Sequence, residues 1–297
     1  MSRAIALLVS LGLAGCGSPS TPLSPSNAPS SSNAPSSSSI GGFVLDSAFR
    51  SVAGARVEVL DGPEAGISTT TDTAGQFSLT GTFDPTTRFR ATGEGYVAAT
   101  QTWSCSVGSC PGPTGARPWL GFYLAPLTTP VNIAGDYTLT FIADSACADL
   151  PAAARTRTYL ATIALDAKPN TPVNTWFNVA VSGAPFLGRF NSFGIGVAGD
   201  YLGFWLHGGH DPPLVEQLAP NAYLAFSGNA AASVGSSGAA TISTPFQGWI
   251  EYCELKSPMG ATYNCGTSPF TGEPIPGLAV VYSHCQSENH QLILRRR

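Results

Sequence analysis

Charge is scarce in this sequence. Asp, Glu, Lys and Arg make up 11% of its 297 residues, against about 25% in an average soluble protein. Lysine is nearly absent. Exposed helical faces normally carry Glu and Lys, so the shortage argues against helices. The 14 basic and 18 acidic residues are scattered and sum to −4, which leaves no basic stripe to neutralise a phosphate backbone and excludes nucleic acid as a partner. The one charge cluster, Arg295-Arg296-Arg297, reads as a solvated tail after a final strand. Past the N-terminal segment there is no apolar run of the roughly 20 residues that a membrane-spanning helix needs. A G-x-S-x-G nucleophile elbow is missing, and so are the paired C-x₂-C knuckles and Cys/His spacings of a zinc site. No metal, cofactor or catalytic residue is therefore assigned, and the chain is expected not to be an enzyme.

What is abundant is Gly (33) and Pro (24), the residues of turn-rich β structure. The length gives room for about two domains of ordinary size.

The first sixteen residues have a secretory pattern: Arg3 supplies positive charge, "AIALLVSLGLAG" is apolar, and small residues precede Cys16. The segment "LAGC" (Leu13 to Cys16) resembles the lipobox of bacterial lipoprotein signal peptides. That resemblance implies that Cys16 is acylated and becomes the first residue after cleavage, with membrane lipid as its partner. More than one acyl chain, at about 0.8 kcal/mol per buried CH₂, makes such an anchor stable. Gly17 stands where an Asp would imply retention at the inner membrane, so the resemblance points to the outer membrane, on its periplasmic or surface face. Residues 17–39, almost all Ser, Pro, Asn, Gly and Thr, are too polar to offset ordering entropy and read as a disordered tether. Such a coil reaches roughly 25 to 30 Å.

With Cys16 set aside, Cys105, Cys110, Cys147, Cys253, Cys265 and Cys285 remain. An even number in an exported chain favours disulfides, although sequence leaves their connectivity open. Cys105 with Cys110 and Cys253 with Cys265 would close short loops, and Cys147 with Cys285 would tie together the ends of one domain.

Residues 40–126 carry seven short β-type runs separated by turn residues, which indicates a small antiparallel Greek-key sandwich. In "ARVEVL", Val57 and Val59 alternate with Arg56 and Glu58, the period of a half-buried strand. "TDTAGQFSL" offers an Asx-type turn at Asp72 to Gly75, followed by Phe77 and Leu79 on one face. Together with "GFVLD" (Gly42 to Asp46), "VAGARVEV" (Val52 to Val59) and "GEGYVA" (Gly93 to Ala98), these runs resemble the carboxypeptidase regulatory-like domain. This is a transthyretin-like sandwich grouped with carbohydrate-binding-like folds, and its members are mostly non-catalytic accessory modules. The insertion holding Cys105 and Cys110 departs from that pattern.

Residues 127–297 read as about ten further strands, starting with "DYTLTFIA" and "RTYLATIAL" and ending on "HQLILRR". The expectation is an antiparallel barrel or a larger sandwich, with one short turn at "DLPAAARTR". The layout resembles uncharacterised domains that follow regulatory-like modules in bacterial lipoproteins.

Four motifs carry a sharper reading beside a plain one. "GIGVAG" (Gly194 to Gly199) satisfies G-x-G-x-x-G, but an aromatic β run follows it instead of a helix, so its glycines read as turn or bulge positions. "HGGHD" places His207, His210 and Asp211 together with no helix to align both rings, and reads as a solvated connection. Asp200, Asp211, Glu216, Glu251 and Glu254 are candidate carboxylates by type, though nothing in the sequence selects a pair. Trp103, Trp119, Trp176, Trp205 and Trp249 would stack on sugars if exposed, but Trp in β domains is mostly core.

The expectation is an all-β, non-enzymatic, lipid-anchored cell-envelope protein with binding or structural modules, whose partners would be glycans or envelope proteins. A carbohydrate-binding accessory protein, and a hydrolase or apolar-ligand carrier using residues 127–297, stand as alternatives.

Overall fold

A computed structural model describes residues 37–83, 86–102, 119–166, 175–207, 212–235, 240–260, 263, 265 and 279–297. All of them fall within one compact unit, Pro35–Arg297. The fold is all-β, with separate sheets in the N-terminal region and a closed eight-stranded barrel after them.

Seven strands build the N-terminal region: β1 (Ser37–Asp46), β2 (Arg56–Val59), β3 (Ser68–Thr70), β4 (Gln76–Phe83), β5 (Arg88–Thr92), β6 (Ala99–Thr102) and β7 (Trp119–Leu124). They form two sheets, ordered β4-β1-β7 and β3-β2-β5-β6. Alternation places Val57, Val59, Phe77, Leu79, Phe89, Leu120, Phe122 and Leu124 in one shared core. The Asx turn forms, with Asp72 Oδ1 accepting from the backbone of Ala74 (2.9 Å) and Gln76 (2.8 Å). One pairing differs from the antiparallel expectation: β7 runs parallel to β1, from Gly41 opposite Trp119 to Asp46 opposite Leu124. A parallel neighbour needs a crossover of a dozen or more residues, and the chain between β1 and β7, which runs through β2 to β6, far exceeds that.

The barrel strands are β8 (Gly135–Ile142), β9 (Thr156–Leu165), β10 (Trp176–Ser182), β11 (Phe186–Ala198), β12 (Tyr201–Leu206), β13 (Leu214–Ala219), β14 (Ala222–Ser233), β15 (Thr241–Leu255) and β16 (Ala279–Arg296), with a single turn of helix, α1 (Ala152–Arg155), before β9. Closure comes from β16 pairing with β8 and β10 pairing with β11. Between β11 and β14 the wall is shared: β12 pairs with the C-terminal half of β14 and β13 with its N-terminal half, both antiparallel. Together they fill one strand position in the wall. This differs in detail from the ten expected runs. "AATIST" and "PFQGWIEYC" fuse into β15, and the last two runs fuse into β16. Pro245 is tolerated because β15 pairs with β14 only up to Phe246, so beyond that point one side of the strand needs no ladder donor. β13 escaped the pattern because Leu214 enters the barrel core while its neighbour Val215 enters a second cluster outside the wall, which erases alternation.

Side chains occupy the barrel axis. Phe141 stacks on Phe226 at 4.6 Å and meets Phe246 edge-on at 5.6 Å, and Tyr159 meets Phe226 at 6.3 Å. On the outer wall of β8 and β9, Thr140 pairs with Thr158 (3.1 Å) and Thr162 donates to Asp136 (2.8 Å). Cys147 is bonded to Cys285 and Cys253 to Cys265, each pair with Cα atoms 5.6 Å apart. Cys16, Cys105 and Cys110 lie outside the described residues.

Candidate ligand-binding surface

The turn after β1 sets up the site. Asp46 is fully buried, and its Oδ1 accepts from the backbone N–H of Ala48 (2.8 Å) and Arg50 (3.0 Å), while Oδ2 holds Arg50 Nε at 2.7 Å. These bonds hold Phe49 at φ +66°, a left-handed conformation that a bulky residue adopts only when its surroundings over-determine it. The turn then seats on the outer barrel wall: Ser47 Oγ donates to the Val197 carbonyl at 2.6 Å. Its backbone comes so close that a Cβ on Gly196 would lie 1.9 Å from the Ser47 carbonyl oxygen, and one on Gly203 2.2 Å from that of Ala48. Gly194 and Gly196 of "GIGVAG" are thus in-strand close-approach positions, with Trp176 lying over Gly194, which corrects their reading as turn or bulge positions. Gly199 alone, at φ +64°, makes a turn.

Phe49 is the hub of an aromatic seam. Its ring lies 5.1 Å from Trp205, 5.8 Å from Trp176 and 6.2 Å from Tyr123. Phe43 extends the row from Tyr123 (5.7 Å) to Trp119 (6.3 Å), and His207 closes the other end at 5.0 Å from Trp205. Trp119 is 60% exposed, Tyr123 49% and Trp205 39%, while Trp176 and Trp249 are partly buried. The expectation that the tryptophans are mainly core is therefore overturned for Trp119 and Trp205, whereas Trp249 packs against the apolar cluster outside the wall; Trp103 lies outside the described residues. The physical reason is register: Leu120, Phe122 and Leu124 face the sandwich core, and Leu202, Phe204 and Leu206 the barrel core, so Trp119 and Trp205 face out.

Two recesses flank Trp205. One, of about 670 Å³, is lined by Phe49, Arg50, Tyr201, Asn229, Gln247 and Glu288, among others. Arg50 lies over the Tyr201 ring at 4.5 Å, and Gln247 donates to Glu288 at 3.3 Å. The other, of about 340 Å³, has Trp176 and Trp205 as walls with Asn178, Arg189, Ser192 and His207 between them. Burial pushes the His207 imidazole below its ordinary value. Flat aromatic faces with amide, hydroxyl and guanidinium groups at their edges can hold a polyhydroxylated ring, whose C–H edges are attracted to the negative π faces.

The remaining candidates fall elsewhere. Glu216, 2% exposed, receives Arg157 through Nε (2.8 Å) and Nη2, and the Tyr159 hydroxyl at 2.7 Å. This forms a polar plug at one barrel end that pushes the tyrosine hydroxyl well up, chiefly through burial. Glu254 lines the same end cavity of about 900 Å³ and accepts from Tyr252, whose hydroxyl is pushed up to about 12 by burial and that contact. Both Glu216 oxygens are committed to the plug, which gives them a structural task. Glu251 sits on the outer wall, accepting from Tyr263 and Tyr282, with His284 Nδ1 at 3.4 Å. Asp200 accepts from Ser233 at 3.2 Å. His210 and Asp211 lie outside the described residues, and those residues contain no His/Cys/Asp/Glu cluster able to hold a metal. Phe49, Arg50, Asn178 and Arg189 were missed by sequence reasoning. Only Phe49 left a signal: a large apolar residue in a polar turn.

The fold and surface define a two-module β protein, a sandwich seated on the outer wall of a closed and filled barrel. No known family, curated protein or solved structure matches the chain.

Proposed function

We propose that this chain is a non-enzymatic, lipid-anchored cell-envelope protein that binds glycans at the seam between its sandwich and its barrel. The observation that carries the reading is Trp205: an exposed ring, packed at a tilt against Phe49 from the other module, standing between two recesses edged with hydrogen-bonding side chains. A packed barrel axis directs attention to the surface instead of an interior apolar site. The anchor rests on "LAGC" and on the Ser/Pro stretch after Cys16. A glycan array probed with the full chain tests the binding: the wild type scores above background and Trp205→Ala does not. An array with no binder, or an unaffected variant, overturns it. For the anchor, Cys16→Ser abolishes acyl labelling and membrane fractionation; retention of both refutes it.

A further inference from the structure

The two recesses beside Trp205 differ in charge. In the larger one, Arg50 is already paired with Asp46 at 2.7 Å, and Glu288 adds a carboxylate. No carboxylate lines the smaller one among the described residues, and Arg189 at its rim is exposed and forms no ion pair there. The Arg189 guanidinium lies 5.8 Å from the Phe190 ring centroid, which orients the side chain without neutralising it. In a chain with 14 basic residues, most described arginines are committed. Arg56 and Arg90 pair with Glu58, Arg88 with Asp61 and Arg157 with Glu216, while Arg155 donates to the Leu150 and Ala148 carbonyls. Among the described residues Arg189, like Arg295 and Arg297, has no such partner, and of these it is the one that lines a recess with two indole walls.

We infer that the recess walled by Trp176 and Trp205 binds a carboxylate-bearing sugar ring of an acidic glycan, with Arg189 receiving the carboxylate. This rests on the glycan-binding reading above and adds the ligand class. The planar guanidinium fork matches a carboxylate with two parallel hydrogen bonds. Asn178 and Ser192 supply the hydroxyl partners. A volume of about 340 Å³ falls at the small end for ligand pockets, as a single ring requires. The larger recess across Trp205, where Glu288 would repel a second carboxylate, takes the neighbouring neutral residue.

The test measures binding of the full chain to uronate-containing oligosaccharides derived from hyaluronate, galacturonan and alginate. Each is paired with its carboxyl-reduced form and with a carboxylate-free oligosaccharide whose charge comes from a sulfate ester. Wild type is expected to prefer at least one carboxylated form by about tenfold or more, the size of a charge-assisted contact. Arg189→Gln removes that preference while leaving the melting temperature unchanged, and Arg189→Lys restores part of it. Equal binding of carboxylated and reduced forms, a preference for sulfate, or a preference that survives Arg189→Gln overturns the acidic-sugar assignment. If only neutral glycans on the array bind, the assignment falls and the glycan reading stands. If no glycan binds, both fall.

Discussion

His290 shows how one residue couples packing to pH. It is fully buried, its ring lies 5.8 Å from that of Phe246, and its Nδ1 accepts the Asp144 N–H at 3.0 Å. Accepting at Nδ1 requires the neutral tautomer with the proton on Nε2, and Nε2 has no hydrogen-bond partner. Burial therefore pushes the imidazole below its ordinary value of 6.5, and the backbone at Cys285 and Gly248 and the Asp144 charge oppose this only in part. Above about pH 6.5 both folded and unfolded chains hold the ring neutral and nothing is contributed. As pH falls below it, the unfolded chain takes up a proton that the folded chain refuses, so stability drops until the folded value is reached. Asp144 acts lower: its carboxylate accepts from the Ala146 N–H and from Ser287, which holds it below its ordinary value of 3.8. Its contribution is intact above that value and is lost only in stronger acid. Urea unfolding from pH 7.5 to 5 should show stability falling in the wild type and a flatter profile in His290→Gln, which keeps an acceptor and cannot titrate. An equal slope in the variant refutes the assignment.

At the scale of elements, the outer face of β11 and β12 is shaped by the turn after β1 as much as by the barrel. A Cβ on Gly196 would meet the Ser47 carbonyl oxygen at 1.9 Å, and backbone on both sides leaves no flexible side chain to yield. Gly196→Ala is expected to cost about 1 to 3 kcal/mol and to weaken glycan binding, because Phe49 must leave Trp205. Chemical denaturation and indole fluorescence measure the two effects; unchanged values for both would mean that the turn does not need this seat. Strand periodicity made β1, β2, β4, β8 and β9 legible in the sequence, since each alternates around one core. β13 was not legible because its two faces serve two apolar clusters. The seam was half legible. The period that buries Leu202, Phe204 and Leu206 already turns Trp205 outward, whereas Phe49, separated from Trp205 by more than one hundred and fifty residues, meets it only through tertiary packing.

Over the whole molecule, two separate cores are joined into one compact unit. Beyond the Ser47 seat, the Arg50 guanidinium lies over the Tyr201 ring at 4.5 Å. The bridge Cys147–Cys285 spans 138 residues of sequence and fastens the segment after β8 to β16, where Ser283 also donates to the Asp149 carbonyl at 2.7 Å. Removing a cross-link of this span typically costs about 2 to 5 kcal/mol, because the unfolded chain regains the closed loop's freedom. If sandwich and barrel unfold as one, that loss is felt at a distance. In Cys147→Ala/Cys285→Ala, amide exchange should accelerate in β1 and β7 by the same factor as in β8 and β16, although the bridge belongs to the barrel core. Acceleration confined to the barrel would mean that the modules open independently. Since the seam draws Phe49 from one module and Trp205 from the other, independent opening would also dissolve the ligand surface without unfolding either core, so the exchange pattern decides whether binding reports on global or local stability.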